Sequence, residues 1–501
     1  MRWLSIAGAV GVIATAQYKV GSQLAIPLGL VLAVTGLLPV PSMFPVLYRV
    51  YTSDTIGYRL RHKLHKRDDP HTTVANAWRR LTAARPDTVD HDDPATVSIL
   101  PVPVLSDNYA YLVICERSGN VAAVDPADPH RILHLVDALN EAAVRQEAAP
   151  SSRPFFRLTH ILTSHKHWDH AGGNRELVCE LAKRQGSGDG TVEVIGSAID
   201  RPMSTTTFVH DGDVTQISPY CHAKVIHTPG HTQGSIMFLV SAEAAAPKAP
   251  QNAALFDTKR RRDAILEVVT HRPELRGPKH AHQSQTQFVA ALGGLDRLPG
   301  ASVDSPALLT GDCLFCGGCG TQFEAKGASD CLRTYDALRS LADAAPKLPV
   351  FVGHEYSMRL LGEWNEHWAK RVLELSAKAG SLDAGGAAAT TSAGASTTTG
   401  TSSFSERIQG SFGAFSDRVR SRFLDVQTLS RQGLASVPSS MALELSTNPF
   451  LTLDRDVLLE MANRRAAASE AESAIYLSPR RTGCQDGVNV ETQLKAQRPR
   501  L

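Results

Sequence analysis

The stretch that most restricts the fold is "LTHILTSHKHWDHAGGN", residues 158–174, where an apolar run leads straight into His165, His167, Asp169 and His170. A short apolar run bounded by turn residues reads as a buried strand, so these side chains stand at a strand end. A rigid sheet can aim such loop residues at a common point. The pattern recurs: "KVIHTPG" runs into His231, "ALLTG" into Asp312 and "PVFVG" into His354. Imidazoles and carboxylates are the ligands suited to zinc, iron or manganese. Seven such groups exceed what one tetrahedral ion takes. They suit two ions sharing a bridge, and Asp312, with two carboxylate oxygens, is the group able to link both.

Other candidates fit less well. His227 falls inside a strand run, whereas His231 follows a Pro-Gly turn, so His231 is the expected ligand and His227 a packed or supporting residue. His160 has the same packed setting, and His280 and His282 lie in a solvated tract. Cys313, Cys316 and Cys319 bracket a glycine-rich loop with no fourth cysteine nearby, which argues against a thiolate zinc site. The eight cysteines show no disulfide framework, and the chain is expected to keep reduced thiols.

With 501 residues, 43% of them hydrophobic, the chain can bury one large core or two smaller ones. Its net charge of +2 carries no general nucleic-acid signal. Strands alternate with helices over residues 97–356, an α/β pattern interrupted by an insertion at about 242–305. That insertion reads as a surface loop with one helix and a basic patch, Lys259 to Arg262. Residues 357–501 read as a helical C-terminal region, with apolar stripes at helical spacing over 358–375 and 404–429. Between those stripes, residues 380–403 form a low-complexity linker.

The first 50 residues differ from the rest. Lys19 and Arg49 bracket the uncharged run "VGSQLAIPLGLVLAVTGLLPVPSMFPVLY", long enough for the ~20 residues of a bilayer span. A signal peptide shares the layout of Arg2 through "ATA", but the second run would survive cleavage. Residues 51–96 read as a basic linker, and Arg49, Arg59, Arg61, Lys63, Lys66 and Arg67 place the remainder on the cytoplasmic side of the membrane. A mitochondrial membrane is compatible with the same pattern.

The motifs "SHKHWDHAGGN", "TPGHTQGS", "TGDCLFCGGCG" and "GHEY", with "LPVPVLSDNYAYLV" and "AVDPADP" upstream and "VPSSMALELSTNPF" downstream, closely resemble the hydroxyacylglutathione hydrolases (glyoxalase II) of the metallo-β-lactamase superfamily. The leader "LYRVYTSDTIGYRLRHKLHK" is similar to a membrane-associated branch that includes the paroxysmal nonkinesigenic dyskinesia protein. The resemblance implies an αββα sandwich and two divalent ions, zinc first with iron or manganese as alternatives. His165, His167 and His231 would hold one ion and Asp169, His170 and His354 the other, with Asp312 bridging. It also implies hydrolysis of a glutathione thioester by a metal-held hydroxide, with Asp169 and Asp312 catalytic and Cys319, Gly320, Thr321 and Tyr356 near the substrate. Thr321 replaces the basic residue usual in the family, and only Arg480 and Arg481 remain as C-terminal cation candidates. Two further possibilities are persulfide oxidation at a single iron and a membrane scaffold keeping a structural metal site.

Overall fold

The computed structural model describes residues 56–65, 74–82, 96–145, 155–185, 191–243, 251–276, 298–366 and 415–452, with the single residues 283, 287, 455, 456 and 459. The apolar N-terminal run, His280, His282, the linker 380–403, Arg480 and Arg481 lie outside the described residues. Among the described residues, no helix is long and apolar enough to cross a membrane.

Two sheets form the frame. The first has eight strands, β1 (Arg79–Thr82), β2 (Thr96–Val104), β3 (Asn108–Cys115), β4 (Asn120–Val124), β5 (Arg157–Thr163), β6 (Glu193–Ser197), β7 (Thr207–Val209) and β11 (Ala301–Asp304), in the order β11-β1-β2-β3-β4-β5-β6-β7. The second has six, β8 (Val214–Ser218), β9 (Cys221–His227), β10 (Ile236–Ala242), β12 (Ala307–Leu309), β13 (Pro349–Phe351) and β14 (Ser439–Ser440), in the order β14-β13-β12-β10-β9-β8. The sheets meet where β1 and β2 approach β10 and β4 approaches β8. Helices Pro129–Arg145, Asn174–Gln185 and Gln251–His271 pack together outside the first sheet, while Ala328–Ala344, Phe415–Gln432 and Met441–Thr447 pack together beside the second. The result is the αββα layering.

Burial explains the apolar runs. Every residue of β3 is buried, because one face meets the other sheet and the second is covered by helices, which removes the polar alternation of a half-exposed strand. Ile99, Leu100, Leu112 and Ile114 of the first sheet share one continuous core with Phe238 and Phe351 of the second. Each such side chain contributes roughly 1.5–3 kcal/mol on burial. Pro101 and Pro103 lie in β2 beyond Ile99, the last residue that β1 pairs. A residue without an N–H is tolerated on a strand edge left unpaired.

Two stretches are built in more firmly than their sequence suggests. Residues 51–96, read as a linker, include β1, which pairs with both β2 and β11, and the helix Ile56–His65. The inserted stretch supplies β11 and the helix Gln251–His271, whose Ala264, Ile265, Val268 and Val269 are buried. Its basic patch is not a free surface. Buried Arg261 donates to the carbonyls of Phe155, Glu116 and Arg117, and Arg262 donates to the Glu116 carboxylate at 3.2 Å.

Candidate metal centre

The strand ends converge. Loops after β5, β9, β12 and β13 bring His165, His167, Asp169, His170, His231, Asp312 and His354 to one end of the sandwich, where three overlapping groups form: His165, His167 and His231; His165, His170 and Asp312; and Asp169, His170 and His354. Within each group the potential ligand atoms lie within 4.8 Å of one another.

Asp312 stands between two sets. Its Oδ2 is 3.4 Å from His231 Nε2, while its Oδ1 is 3.3 Å from His170 Nε2 and 3.4 Å from His354 Nε2. In the first set, His167 Nδ1 is 3.0 Å from His165 Nε2 and 2.9 Å from His231 Nε2. In the second, Asp169 Oδ2 is 3.6 Å from His354 Nε2 and 4.0 Å from His170 Nε2. The backbone approaches closely here: a Cβ at Gly353 would fall 2.6 Å from Asp312 Oδ1, and one at Gly311, whose φ is +49°, would fall 2.4 Å from Ser164 Oγ. Only glycine leaves that room.

Outer partners orient the rings. His170 Nδ1–H donates to Asp125 Oδ2 at 2.9 Å, His354 Nδ1–H to Asp107 Oδ1 at 2.8 Å and His231 Nδ1–H to the Thr321 carbonyl at 2.9 Å. The Ser164 hydroxyl donates to Asp125 Oδ2 at 2.6 Å and so accepts from His165 Nδ1, 3.0 Å away. These four Nε2 atoms are left to face the centre, as ligating histidines do when the other ring nitrogen is occupied. Asn108 Nδ2 adds a link, reaching the Asp169 carbonyl at 3.2 Å, Asp169 Oδ2 at 3.3 Å and His354 Nε2 at 3.1 Å.

The electrostatics favour a cation. Burial works to raise the pKa of Asp312, but His354 and His170 hold it well below the usual carboxylate range. Asp169 is lowered in the same way, with burial opposing and His170 and His354 prevailing. Burial works against charge on His354 and His170 too, yet Asp312 and neighbouring carboxylates outweigh it, bringing His354 to about 10 and His170 well above the ordinary imidazole value. The carboxylates thus draw positive charge to this point. His165, His167 and His231 go the other way, chiefly through burial, and His167 falls to about 4. Neutral imidazoles there keep their lone pairs for a ligand role. Buried His170 Nε2 and Asp312 Oδ1 have no hydrogen-bond partner, a costly condition that a cation between them would relieve. The residues therefore fit a divalent metal.

Elsewhere the chemistry is quieter. His227 donates to the Gln233 carbonyl at 2.9 Å and braces the loop carrying His231, and His160 sits on β5 beside Thr159 and Glu193. Burial pushes the Cys313 and Cys319 thiols up to about 12 and that of Cys316 further up, so none is a ready thiolate. All seven described cysteines are free. Of the expected substrate residues, Gly320 N–H donates to the Asp312 carbonyl at 3.1 Å, and Tyr356 stacks on His354 at 4.6 Å. Cys319 is half-buried and Thr321 exposed. Asp125, Asp107, Asn108 and Ser164 fall within the motifs that carry the family resemblance, but the sequence alone assigns them no role. The signal for Asp125 is its place directly after β4, the same strand-end position as the other site residues.

Three curated proteins show sequence similarity. The chain is 24% identical over 365 residues to the cytoplasmic hydroxyacylglutathione hydrolase of Arabidopsis thaliana, covering 73% of this chain and 91% of that protein. Identity is 26% over 357 residues to the hydroxyacylglutathione hydrolase of Methylococcus capsulatus, covering 71% and 86%. For that of Rhodospirillum rubrum it is 27% over 265 residues, covering 52% and 68%. The chain is a sequence relative of the hydroxyacylglutathione hydrolases. No family model matches it. Among solved structures, a metallo-β-lactamase from Staphylococcus aureus overlaps with a TM-score of 0.30 at 18% identity, covering 52% of this chain and 58% of that one. ETHE1 from Myxococcus xanthus overlaps with a TM-score of 0.29 at 20% identity, covering 52% and 77%.

Proposed function

We propose that the chain hydrolyses S-(2-hydroxyacyl)glutathione thioesters, S-D-lactoylglutathione among them, to the 2-hydroxy acid and glutathione. The observation that carries this reading is the division of Asp312, one carboxylate oxygen toward each histidine set, and the similarity to hydroxyacylglutathione hydrolases supports it. His165, His167 and His231 would hold one divalent cation and Asp169, His170 and His354 a second, with Asp312 shared. Zinc suits this ligand set first, then iron or manganese.

When bound, such cations would lower the pKa of a water they hold toward neutrality and polarise the thioester carbonyl. The chain's part is to keep Asp312 and Asp169 ionised and to hold the imidazole lone pairs inward through Asp125, Asp107, Ser164 and the Thr321 carbonyl. A thiol leaving group has a pKa of about 8.5, so it departs as thiolate without a dedicated acid. Ser164 is buried and engaged with Asp125, which suits a support and not a nucleophile. A reaction at a single iron would leave the second set without a role, and a structural zinc site is usually closed by four ligands.

The test is steady-state hydrolysis of S-D-lactoylglutathione by the full, metal-loaded chain. Asp312→Ala removes the shared carboxylate and should lower kcat/KM by about a thousandfold, several kcal/mol of transition-state stabilisation. A folded, metal-loaded parent without turnover would refute the reading. We further propose, from the sequence alone, that the apolar run before Arg49 attaches the chain to a membrane with this domain on the cytoplasmic side. In that case the full chain stays with membranes through alkaline carbonate extraction; release into the supernatant contradicts it.

A further inference from the structure

Resting on the thioesterase reading, we infer that Arg359 is the specificity-determining residue that receives a carboxylate of the thiol half of the substrate. Glutathione carries two carboxylates, so a site that selects it needs a cation placed beside the reacting centre. Thr321, on the loop that also reaches His231, is uncharged. Lys166, between two metal-site histidines, is already engaged, 2.7 Å from Glu324 and 3.6 Å from Asp200.

Arg359 is differently placed. It is exposed, in the first turn of the helix over 357–366, and among the described residues no carboxylate pairs with it. Its guanidinium lies 4.2 Å over the Tyr356 ring, and that ring stacks on His354 at a centroid distance of 4.6 Å and an interplanar angle of 13°. The cation therefore stands two contacts from a residue of the metal centre. An arginine stacked on an aromatic is held through its π-face, which leaves its N–H donors free to meet a carboxylate in a bidentate pair.

The experiment compares two substrates in the full, metal-loaded chain, S-D-lactoylglutathione and the D-lactoyl thioester of uncharged N-acetylcysteamine. Arg359→Ala should raise KM for the glutathione thioester about tenfold with kcat unchanged, as expected when one charge-assisted contact common to ground and transition states is lost. Arg359→Lys should recover part of that loss. The KM for the uncharged thioester should stay the same in both variants. An unchanged KM for the glutathione thioester in Arg359→Ala overturns the assignment. So does an equal rise for both substrates, because Arg359 would then act only by holding Tyr356. A parent that cleaves neither thioester refutes the thioesterase reading itself, whereas one that cleaves both but ignores Arg359 refutes only this inference.

Discussion

At the scale of single residues, the site depends on groups that would never touch a metal. Asp125 accepts hydrogen bonds from the Ser164 backbone N–H, the Ser164 hydroxyl and His170 Nδ1 at 2.8, 2.6 and 2.9 Å, so one carboxylate orients ligands in both sets. Its φ of +48° is a conformation that asparagine also tolerates, which makes Asp125→Asn the appropriate probe. An amide must present an N–H where the carboxylate accepted, and loss of such a supporting partner weakens metal binding by roughly 10–100-fold. Titration of the metal-free variant against a competing chelator should show that loss. Equal metal affinity in parent and variant would leave Asp125 without the orienting role. The seven residues of the candidate centre stand out in the sequence because they follow the ends of four apolar runs and their side chains have few other uses together. Asp125 was not, since an aspartate before a proline looks like any turn former.

At the scale of elements, the sequence showed the buried strands clearly and the framing elements poorly. The helix expected over "NRELVCELAKRQG" runs Asn174–Gln185, and the strands flanking "ERSGN" form a hairpin. By contrast, the four residues of β1, "RRLT", carry too short a pattern to read, and buried Glu116 draws Arg80 inward at 2.9 Å in a way no periodicity announces. The helix Ile56–His65 was hidden in a basic run for a similar reason. Buried Arg61 lies 5.1 Å over the ring of Trp168, His65 packs 5.6 Å from the same ring, and the Tyr58 hydroxyl donates to the Ala127 carbonyl. Trp168 sits between His167 and Asp169, so this helix clamps the ligand-bearing loop from outside. A chain shortened to begin just before β2 would lose both that clamp and β1, the strand that joins β11 to β2. The C-terminal block works likewise: buried Glu444 pairs with Arg422 and accepts the Gly317 N–H at 3.0 Å, tying the helices beside the second sheet to the glycine-rich loop after Asp312. Long-range pairs of this kind depend on the assembled fold, which is why local sequence patterns do not reveal them.

At the scale of the whole molecule, the centre joins the two sheets. His165, His167, Asp169 and His170 follow β5 of the first sheet, while His231, Asp312 and His354 follow β9, β12 and β13 of the second. Cations held by both groups would tie the layers together at one end, where like-charged carboxylates and crowded imidazoles otherwise face each other. A ligand present at about a thousandfold above its Kd stabilises the folded state by about 4 kcal/mol. For a domain of this size, 1 kcal/mol corresponds to roughly 2–4 °C in melting temperature. Stripping the protein with a chelator should therefore lower its Tm by on the order of 10 °C, and returning zinc should restore it. His354→Ala should give an intermediate gain on reloading, because it disables only the second set. Identical melting of stripped and reloaded protein would mean that the strand ends converge without binding the ions their chemistry invites.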